Sequence, residues 1–426
     1  MKDSGLQWVG KIPAEWEVAP LAWILKIKPP EYAPSEELLS VYLDKGVIRY
    51  SDVKVKRTNL TSQDLSKYQL VLPGEFVLNN QQAWRGSVGV SSLRGIVSPA
   101  YIVMLLSESL DASFANYLLR SSYMVDCYAI SSRGVGTIQR NLYWKLLRTC
   151  RIAVPPLAEQ RSIAAFLDSV TGKIDELRGK LKREIDRLKD YKKSAITKAV
   201  CHGLDPKAKM KDSGVAWCPK VPSHWKRVNP RALFSQRTRR AMRGERQLAA
   251  TQRYGVIYQD DYMRRENQSL VLVDKGFSIL KHVEPGDFVI SMRSFQGGLE
   301  YSENRGSISS AYTMIYGNPV RVENRFYRWF FKSSKYINAL QSTSNLTREG
   351  QAMRFANFTS IPLFDIPLDE QRRIADYLDG MAKRVNAIVE KRKRQLDALD
   401  KLKRTVVYDY VTGKREVPLP KGGRSR

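Results

Sequence analysis

Residues 155–168 read Pro-Pro-Leu-Ala-Glu-Gln-Arg-Ser-Ile-Ala-Ala-Phe-Leu-Asp, and residues 366–379 read Ile-Pro-Leu-Asp-Glu-Gln-Arg-Arg-Ile-Ala-Asp-Tyr-Leu-Asp. Proline before an acidic turn is typical of a helix start, because proline has no N–H to leave unpaired and carboxylates favour the positive end of the helix dipole. Each stretch therefore predicts the start of a helix. The two stretches lie 211 residues apart (366 − 155) in a chain of 426 residues, which predicts that the fold is built twice.

A second repeated stretch opens each half of the chain. Residues 2–16 read Lys-Asp-Ser-Gly-Leu-Gln-Trp-Val-Gly-Lys-Ile-Pro-Ala-Glu-Trp, and residues 211–225 read Lys-Asp-Ser-Gly-Val-Ala-Trp-Cys-Pro-Lys-Val-Pro-Ser-His-Trp. We expect the four tryptophans of these stretches to anchor a core or a docked helix rather than to stack on bases: Trp8, Trp16, Trp217 and Trp225.

Short apolar runs separated by Gly, Pro and Asn fill the first part of each half, a pattern that is typical of strands. The segments Pro73–Val77 and Pro285–Val289 match, and in each a glycine allows the tight turn that precedes a strand. The predicted strands are Leu38–Tyr42, Tyr68–Leu72, Glu75–Asn79, Tyr101–Leu106, Asp287–Ser291 and Ala311–Tyr316.

A long amphipathic helix is predicted at the end of each half, because apolar residues recur there at steps of three and four between charged residues. Matched apolar stripes favour packing of one helix on the other. Because the two ends of a compact domain often lie close together, we expect the second helix to begin where the first ends, so that the pair is antiparallel. The predicted inward positions are Ile174, Leu177, Leu181, Ile185, Leu188, Tyr191 and Ala195, and Val385, Ile388, Arg392, Leu396, Leu399, Leu402 and Val406.

The sequence thus predicts an α+β fold, with two α/β domains in a pseudo-two-fold arrangement separated by two long antiparallel helices that form a coiled-coil spacer. The predicted segments are residues 1–156 for the first domain, 157–203 for the first helical spacer, 204–366 for the second domain, 367–415 for the second spacer and 416–426 for a disordered basic tail.

The charge balance indicates a polyanionic partner. The chain has 71 Lys and Arg against 43 Asp and Glu, a net charge of +28. A surplus of this size favours nucleic acid or an anionic membrane over a mere solubility effect. No apolar run approaches the roughly 18 residues of a spanning helix, so nucleic acid is favoured.

Nothing in the sequence indicates catalysis or metal binding. The cysteines Cys127, Cys150, Cys201 and Cys218 have no metal-ligand spacing, and they predict free thiols in a reducing, cytoplasmic environment. The three histidines are scattered, and neither an Asn-Pro-Pro-aromatic methyltransferase motif nor a GxxxxGK[ST] phosphate loop occurs. We therefore expect a protein that is not an enzyme, with no catalytic and no metal-binding residues.

Three segments in each half suit base reading, which needs Arg, Asn, Gln or Lys side chains on stiff loops. They surround Gly-Val-Ile at residues 46–48 and 255–257, follow the Pro-Gly strand, and precede the long helix. The candidate DNA contacts are Lys45, Arg49, Asn79, Asn80, Gln81, Gln82, Trp84, Arg85, Arg133, Thr137, Gln139 and Arg140 in the first half, and Arg253, Tyr254, Arg293, Ser294, Phe295, Gln296, Arg348, Gln351 and Arg354 in the second.

Each of these segments also has a purely structural explanation. Asn-rich loops are often simply turns, Arg133 and Arg140 also suit phosphate contact or pairing with helix acids, and the Gly-Val-Ile strands are mostly structural. The basic run of Lys54, Lys56 and Arg57 suits sequence-independent phosphate binding. The loops differ between halves whereas the helix starts match, which predicts an asymmetric, two-part binding site rather than a palindrome.

The two repeated stretches, in this order, resemble those of the specificity subunit of type I restriction-modification enzymes. The resemblance covers essentially the whole chain. It implies that residues 1–156 and 204–366 are target recognition domains, each reading one part of a split double-stranded DNA site, and that the helices set the gap. It also implies docking of two methyltransferase subunits, which in turn hold two restriction (motor-nuclease) subunits.

The resemblance further implies that S-adenosylmethionine, ATP and Mg are bound by the partner subunits, with no cofactor in this chain. The identical Glu-Gln-Arg at each helix start is the expected docking site for identical partners, and capping of its own helix is the alternative. These residues are Glu159, Gln160, Arg161, Glu370, Gln371 and Arg372. Two other functions stay open: a stand-alone, repressor-like DNA-binding protein, and an RNA-binding scaffold.

Overall fold

In the computed structural model, each half of the chain folds around a four-stranded antiparallel sheet. The structure describes residues 1–7, 9–43, 45–53, 64–134, 140–267, 279–292, 294–343 and 353–418. The chain divides into two units. The first unit comprises Met1–Leu181 and Lys393–Arg426, and the second unit comprises Lys182–Arg392.

The first unit contains short strands and four short α-helices in front of a long one. Its strands are β1 (Lys2–Asp3), β2 (Lys11–Ile12), β3 (Glu17–Pro20), β4 (Leu25–Ile27), β5 (Leu39–Tyr42), β6 (Gly46–Arg49), β7 (Gln69–Val71), β8 (Phe76–Asn79), β9 (Val88–Val90), β10 (Gly95–Val97), β11 (Tyr101–Leu106), β12 (Ser132–Arg133), β13 (Asn141–Leu142) and β14 (Arg151–Val154). Its helices are α1 (Leu21–Ile24), α2 (Ala112–Leu119), α3 (Ser122–Ile130), α4 (Trp144–Leu147) and the start of α5 (Leu157–His202), with 3-10 turns at Tyr50–Asp52 and Ala83–Arg85.

The second unit repeats this order. Its strands are β15 (Met210–Asp212), β16 (Lys220–Pro222), β17 (Lys226–Val228), β18 (Phe234–Arg237), β19 (Leu248–Thr251), β20 (Gly255–Tyr258), β21 (Lys281–Val283), β22 (Phe288–Ile290), β23 (Glu300–Tyr301), β24 (Gly306–Ile308), β25 (Thr313–Gly317) and β26 (Leu363–Asp365). Its helices are α6 (Gln259–Glu266), α7 (Ser294–Gly297), α8 (Asn324–Phe330), α9 (Ser334–Ser342), α10 (Phe355–Thr359) and the start of α11 (Leu368–Val411), with a 3-10 turn at Pro230–Ala232.

The central sheets of the two units have the same topology. The strand order is β4-β11-β8-β9 in the first unit and β18-β25-β22-β23 in the second. Gly74 and Gly286, with φ of 89° and 97°, form the turns before β8 and β22, as the Pro-Gly pattern predicts. A β-carbon at Gly286 would lie 3.0 Å from Nδ2 of Asn324, so space as well as φ favours glycine there. Each predicted strand is present, with bounds that differ by at most two residues.

In the first unit the core lies between the sheet and the long helices. In the first unit, Phe76, Leu78 and Met104 of the sheet belong to the same buried cluster as Ile163 and Val411 of the helices. In the second unit, the core is rich in aromatic rings, and Phe234 packs edge-on against Phe288 and Tyr327. Trp16 and Trp225 are fully buried, which confirms their predicted role as anchors.

The predicted antiparallel pairing of the long helices is confirmed within each unit. In the first unit, Arg178 pairs with Asp400 at 2.6 Å and Asp175 with Lys403 at 2.6 Å, so numbers rise along α5 as they fall along α11. In the second unit, Glu184 pairs with Arg392 at 2.9 Å, and Lys192 donates to Asn386 at 3.0 Å. With 46 and 44 residues, the helices span roughly 69 and 66 Å at 1.5 Å per residue.

Four of the predicted inward positions are wrong. The exposed fraction is 49% for Leu177, 54% for Tyr191, 40% for Ile388 and 49% for Leu402. In their place Arg178 and Lys192 turn toward the facing helix, because their long apolar stems pack while their charged ends reach a partner there. A count of apolar residues alone could not show this exchange.

Candidate nucleic-acid interface

The second tryptophan of each repeated stretch contacts the start of a long helix. The indole Nε1–H of Trp16 donates to Oε2 of Glu159 at 3.0 Å, and that of Trp225 donates to Oε2 of Glu370 at 3.2 Å. The carboxylate therefore serves two purposes: it faces the helix dipole, and it holds the tryptophan of the same unit. In the second unit His224 also contacts Glu370, at 2.7 Å.

The glutamine of each Glu-Gln-Arg stretch is completely buried and binds three backbone groups. Gln160 accepts from the N–H of Asp111 at 2.8 Å and donates to the carbonyls of Ser109 and Pro155, each at 2.8 Å. Gln371 accepts from the N–H of Glu323 at 2.9 Å and donates to Arg321 and Ile366 at 2.7 and 2.8 Å. Each amide thus ties the helix start to the loop before α2 or α8.

The arginine completes this attachment while staying exposed. Nε of Arg161 lies 3.6 Å from the carboxylate of Asp111, the N-cap of α2, and Nε of Arg372 lies 3.4 Å from Glu323, the N-cap of α8. Identity of the Glu-Gln-Arg stretches is therefore explained by identical contacts inside each unit. The prediction that Gln160 and Gln371 dock a partner is wrong for their side chains, which are 0% exposed.

A second matched contact holds each helix against its unit about two and a half turns beyond the glutamate. The hydroxyl of Tyr117 donates to Asp168 at 2.6 Å, and the indole of Trp329 donates to Asp379 at 2.8 Å. Burial, followed by the hydrogen bond to Asp168, raises the pKa of Tyr117 to about 12. These contacts hold α2 against α5 and α8 against α11.

In the first unit the structure brings the second and third predicted segments together around Trp84. The guanidinium of Arg140 lies 5.0 Å from the centre of the Trp84 ring and that of Arg85 lies 5.6 Å from it. The N–H of Leu142 donates to both the carbonyl and Oδ1 of Asn80, at 3.1 Å each. A half-buried aromatic ring with two arginines beside it presents cations and a π-face on one surface.

The amides of this loop divide into two groups. Asn79 accepts from the N–H of Gln81 at 3.0 Å and Asn80 from Leu142, so both serve the turn, as the structural alternative predicts. Gln81 and Arg85 are exposed. Gln82 is half-buried and engaged within the protein. We therefore retain Gln81, Trp84 and Arg85 as the strongest candidates for base contact.

The first predicted segment forms the hairpin between β5 and β6 and lies beside this loop. The hydroxyl of Ser87 donates to the carbonyl of Val41 at 2.9 Å, and a β-carbon on Gly89 would lie 3.0 Å from Cα of Gly46. Lys45 is exposed at the hairpin tip. Arg49 pairs with Glu37 at 2.9 Å, so its charge is used within the protein. Arg133 is exposed on β12, where the chain enters the third segment.

In the second unit the equivalent hairpin carries an aromatic and arginine cluster. Tyr254 lies between Arg253 and Arg265, whose guanidinium groups are 5.0 and 5.2 Å from its ring centre. The Tyr254 hydroxyl donates to Glu266 at 2.7 Å, and Arg253 pairs with the same carboxylate at 3.1 Å. That hydrogen bond raises the pKa of Tyr254.

The second segment of this unit contacts the hairpin, as in the first unit. A β-carbon on Gly297 would lie 2.8 Å from the side chain of Gln252. Gln296 is exposed and Phe295 half-buried. Ser294 is buried, and its hydroxyl accepts the N–H of Ser291 at 2.8 Å, so the prediction that its side chain contacts DNA is wrong in this conformation. Arg354 is exposed at the N-cap of α10.

Several predicted residues lie outside the described part of the chain. They are Trp8, Lys54, Lys56, Arg57, Thr137, Gln139, Arg293, Arg348, Gln351 and the tail from residue 419. Their DNA contacts and roles stay predictions.

The structure adds residues that the sequence analysis did not select. Asp111 and Glu323 cap α2 and α8 and receive the helix arginines, a role that their position after a loop did not reveal. Arg239, Arg240 and Arg243 form an exposed basic loop before β19. Their density in residues 237–246 was a visible signal, but the first half has no basic counterpart to draw attention to it.

Two classes of site are not found in the described ranges. No group of three or more His, Cys, Asp or Glu residues there is placed to hold a metal ion. In the same residues, no helix combines the length and the apolar character that crossing a membrane requires.

Comparison with known proteins gives a family match for the first part of the chain. The model of the type I restriction modification DNA specificity domain matches residues 13–187, which take in the first-unit sheet, the Trp84 loop and the first part of α5. This match bears out the resemblance of the chain to type I specificity subunits.

Relatives of the specificity family match along the chain. The putative type I restriction enzyme MjaX specificity subunit of Methanocaldococcus jannaschii is 22% identical over 452 residues, covering 96% of each chain. The type I restriction enzyme MjaVIII specificity subunit of the same organism is 29% identical over 198 residues, covering 42% of this chain and 45% of that one.

A solved structure shares the fold. It is described as the structural basis underlying complex assembly and conformational transition of the type I R-M system. It matches with a TM-score of 0.68 at 16% identity, covering 95% of this chain and all of that one.

Proposed function

We propose that this chain is the DNA-recognition subunit of a type I restriction-modification complex and reads an asymmetric site in two parts, one part with each unit. The supporting observation is a repeated scaffold that carries different loops. Both units have the same sheet order and the same Glu-Gln-Arg attachments, yet the loop after β8 presents Gln81, Trp84 and Arg85, whereas the loop after β22 presents Phe295 and Gln296. Different side chains on equivalent loops favour different base sequences.

The proposed reading surface of the first unit is held together by hydrogen bonds between its segments. In the first unit the Ser87 hydroxyl donates to the carbonyl of Val41 in the hairpin, and the N–H of Leu142 on β13 donates to Asn80 of the Trp84 loop, so these segments are attached to one another. Preorganised amide and guanidinium groups can make two hydrogen bonds to one base edge, worth about 1–3 kcal/mol of discrimination for each good pair. Trp84 and its two arginines add stacking and charge at the same place.

Partner subunits are proposed to dock on exposed apolar side chains of the helices rather than on the Glu-Gln-Arg stretches. The helix pair of the first unit exposes Leu177 and Leu402, and that of the second unit exposes Ile388 and Tyr191. Leu177 and Ile388 are repeat-equivalent (388 − 177 = 211), as are Tyr191 and Leu402 (402 − 191 = 211). Equivalent apolar side chains in both units suit two copies of the same partner, which we assign as the methyltransferase subunit.

The chemistry is proposed to reside in these partners. S-adenosylmethionine, ATP and Mg would be bound by the methyltransferase and restriction subunits, and this chain would supply the DNA sequence specificity. A stand-alone DNA-binding protein is the competing function. It offers no reason for the matched exposed apolar side chains of the two helix pairs.

Co-expression with a methyltransferase subunit, followed by methylation-sensitive sequencing of host DNA, tests the function. We expect adenine methylation at a split, asymmetric site. Replacing Gln81, Trp84 and Arg85 by alanine should change or abolish recognition of one part of the site only. A palindromic site would overturn the assignment of one part to each unit, and DNA binding without any partner or methylation would favour the repressor-like function.

A variant pair tests the docking surface. Leu177→Asp with Ile388→Asp should abolish co-purification of the methyltransferase subunit while leaving DNA binding by this chain intact. Val320→Asp is the control, because Val320 is 77% exposed and lies away from the long helices in sequence. Unchanged co-purification of the double variant would contradict docking at the proposed surface.

A further inference from the structure

The loop of residues 238–247 in the second unit differs in charge from its counterpart in the first unit. It reads Thr-Arg-Arg-Ala-Met-Arg-Gly-Glu-Arg-Gln, with four arginines and one glutamate. The counterpart, residues 29–38, reads Pro-Pro-Glu-Tyr-Ala-Pro-Ser-Glu-Glu-Leu, with three glutamates and no basic residue. The formal charges are +3 (4 − 1) and −3, although the two loops have equal length.

Backbone contacts show that the two loops are structurally equivalent. The carbonyl of Arg246 accepts the N–H of Ser307 at 2.9 Å, and that of Glu37 accepts the N–H of Ile96 at 2.8 Å. At the other end, the carbonyl of Arg239 accepts the N–H of His282 at 3.0 Å, as that of Glu31 accepts the N–H of Leu70 at 2.7 Å. The two loops therefore have equivalent backbone attachments but opposite charge.

Each loop forms an ion pair at its C-terminal end, but the loop supplies the acid in the first unit and the base in the second. In the first unit Glu37 of the loop pairs with Arg49 at 2.9 Å. In the second unit Arg246 of the loop pairs with Asp260 at 2.8 Å, and its guanidinium lies 3.6 Å from the centre of the Tyr258 ring. The C-terminal end of the loop is held by an ion pair in both units, but only the loop of the second unit has a surplus of positive charge.

A buried histidine fixes the basic loop. The ring of His282 is 0% exposed, with Nδ1 at 2.6 Å from Glu245 of the loop and Nε2 at 2.7 Å from Glu284. Each ring nitrogen therefore lies at hydrogen-bond distance from a carboxylate, one of them on the loop itself. The loop is thus attached through its backbone, through Glu245 and through Arg246.

Three arginines remain available on this fixed loop. Arg239, Arg240 and Arg243 are exposed, and within the described ranges none of them forms an ion pair. Arg239 reaches Sδ of Met242 at 3.0 Å, and Arg240 donates to the carbonyl of Ile279 at 3.0 Å. Guanidinium groups are suited to phosphate oxygens, because their forked donors match that geometry.

We propose that the loop of residues 238–247 is a phosphate-binding site that grips the DNA backbone in the second unit only. This inference rests on the proposed function. The strand β19, four residues and roughly 13 Å long, separates the loop from the hairpin tip that carries Arg253 and Tyr254. That length is close to the ~12 Å width of the major groove, so a tip at the base edges places the loop at the flanking phosphates.

The asymmetry has a functional meaning. Phosphate contacts supply affinity and register but no base information, so this loop would add salt-dependent affinity to the second unit. The first unit, with an acidic loop at the equivalent place, depends more on its Trp84 loop.

Salt titration of the full chain on a labelled 30-base-pair duplex of arbitrary sequence tests this site. Removing three phosphate contacts by Arg239→Gln, Arg240→Gln and Arg243→Gln should lower the slope of log K against log salt by about 0.9 per contact, and weaken binding up to about 100-fold near 0.15 M salt. A charge-matched control replaces Lys182, Arg183 and Arg187, which are exposed on α5, by Gln. The control should leave the slope nearly unchanged.

The outcomes separate this inference from the proposed function. Equal losses in the two triple variants would show an effect of net charge alone and overturn the loop site. Unchanged DNA binding of the loop variant, with loss of partner co-purification, would overturn it in favour of an acidic protein partner. If the unaltered chain shows no salt-dependent duplex binding at all, it is the proposed function that fails.

Discussion

The indole of Trp16 and the carboxylate of Glu159 meet at 3.0 Å although 143 positions separate them in the chain. Trp225 and Glu370 repeat this contact at 3.2 Å, across 145 positions. The two stretches that are repeated most clearly in the sequence are thus bound to each other within each unit. The sequence repeat thus corresponds to the same contact between tryptophan and helix start in both units.

Removing the donor should weaken each attachment. Trp16→Phe and Trp225→Phe keep an aromatic ring in the core but leave a half-buried carboxylate without its indole partner. We expect a loss of about 1–3 kcal/mol in the free energy of unfolding for each, measured by urea denaturation. Trp23→Phe serves as the control, because Trp23 is 75% exposed. Equal stability of Trp16→Phe and the control would show that the hydrogen bond contributes little.

The buried glutamines permit a sharper substitution. Gln160→Glu replaces an amide nitrogen that donates to Ser109 and Pro155 with an oxygen that faces both carbonyls. We expect destabilisation of several kcal/mol, since a buried donor becomes a buried acceptor and one negative charge loses solvation. Differential scanning calorimetry should show a lower Tm at pH 7. Recovery of much of that loss near pH 4 would support the electrostatic cause, because a protonated carboxyl can again donate.

Sequence predicted the parts of this fold that depend on pattern. The Pro-Gly turns at Gly74 and Gly286, the strand Tyr101–Leu106 and the antiparallel helices follow from backbone preference and apolar periodicity. The helix stripe failed at Leu177 and Tyr191, because the neighbouring Arg178 and Lys192 took inward positions through contacts with the facing helix. Such contacts depend on the three-dimensional register of two helices, which one sequence pattern does not contain.

The candidate site was predictable by residue type and less so by orientation. Arginine and amide side chains marked the loops, and Trp84 with Arg140 shows that two separate segments form one surface. Ser294 and Gln160 have the right chemistry but point into the protein. The sequence shows the arginines of residues 239–243, but their significance depends on the contrast with the acidic loop of the first unit. Only the backbone contacts show that the two loops are equivalent.

The Trp84 loop should control one part of the DNA site. Trp84→Ala removes the ring on which Arg85 and Arg140 lie, so we expect weaker binding, by about 1–3 kcal/mol if one base stacks on the ring. In a duplex with the two parts mutated separately, the variant should become insensitive to changes in one part and stay sensitive to the other. Trp144→Ala is the comparison, since Trp144 packs against the first-unit core and should reduce stability instead. Loss of discrimination at both parts would contradict a division of labour between the units.

Cys150 should be the first thiol to react with an alkylating reagent. A hydrogen bond from the Cys127 thiol lowers the pKa of Cys150 to about 7, while the same contact and burial raise the pKa of Cys127. Cys150 is half-buried, whereas Cys127, Cys201 and Cys218 are buried. The thiolate is the reactive form, so alkylation by iodoacetamide should rise with pH through about 7 and level off above it, instead of rising up to an ordinary thiol pKa of about 8.5. Mass spectrometry of short reaction times should find the label on Cys150, and Cys150→Ser should remove this early phase. Labelling that starts on another cysteine, or a rate that keeps rising to pH 9, would show that the thiol pair does not stabilise the Cys150 thiolate.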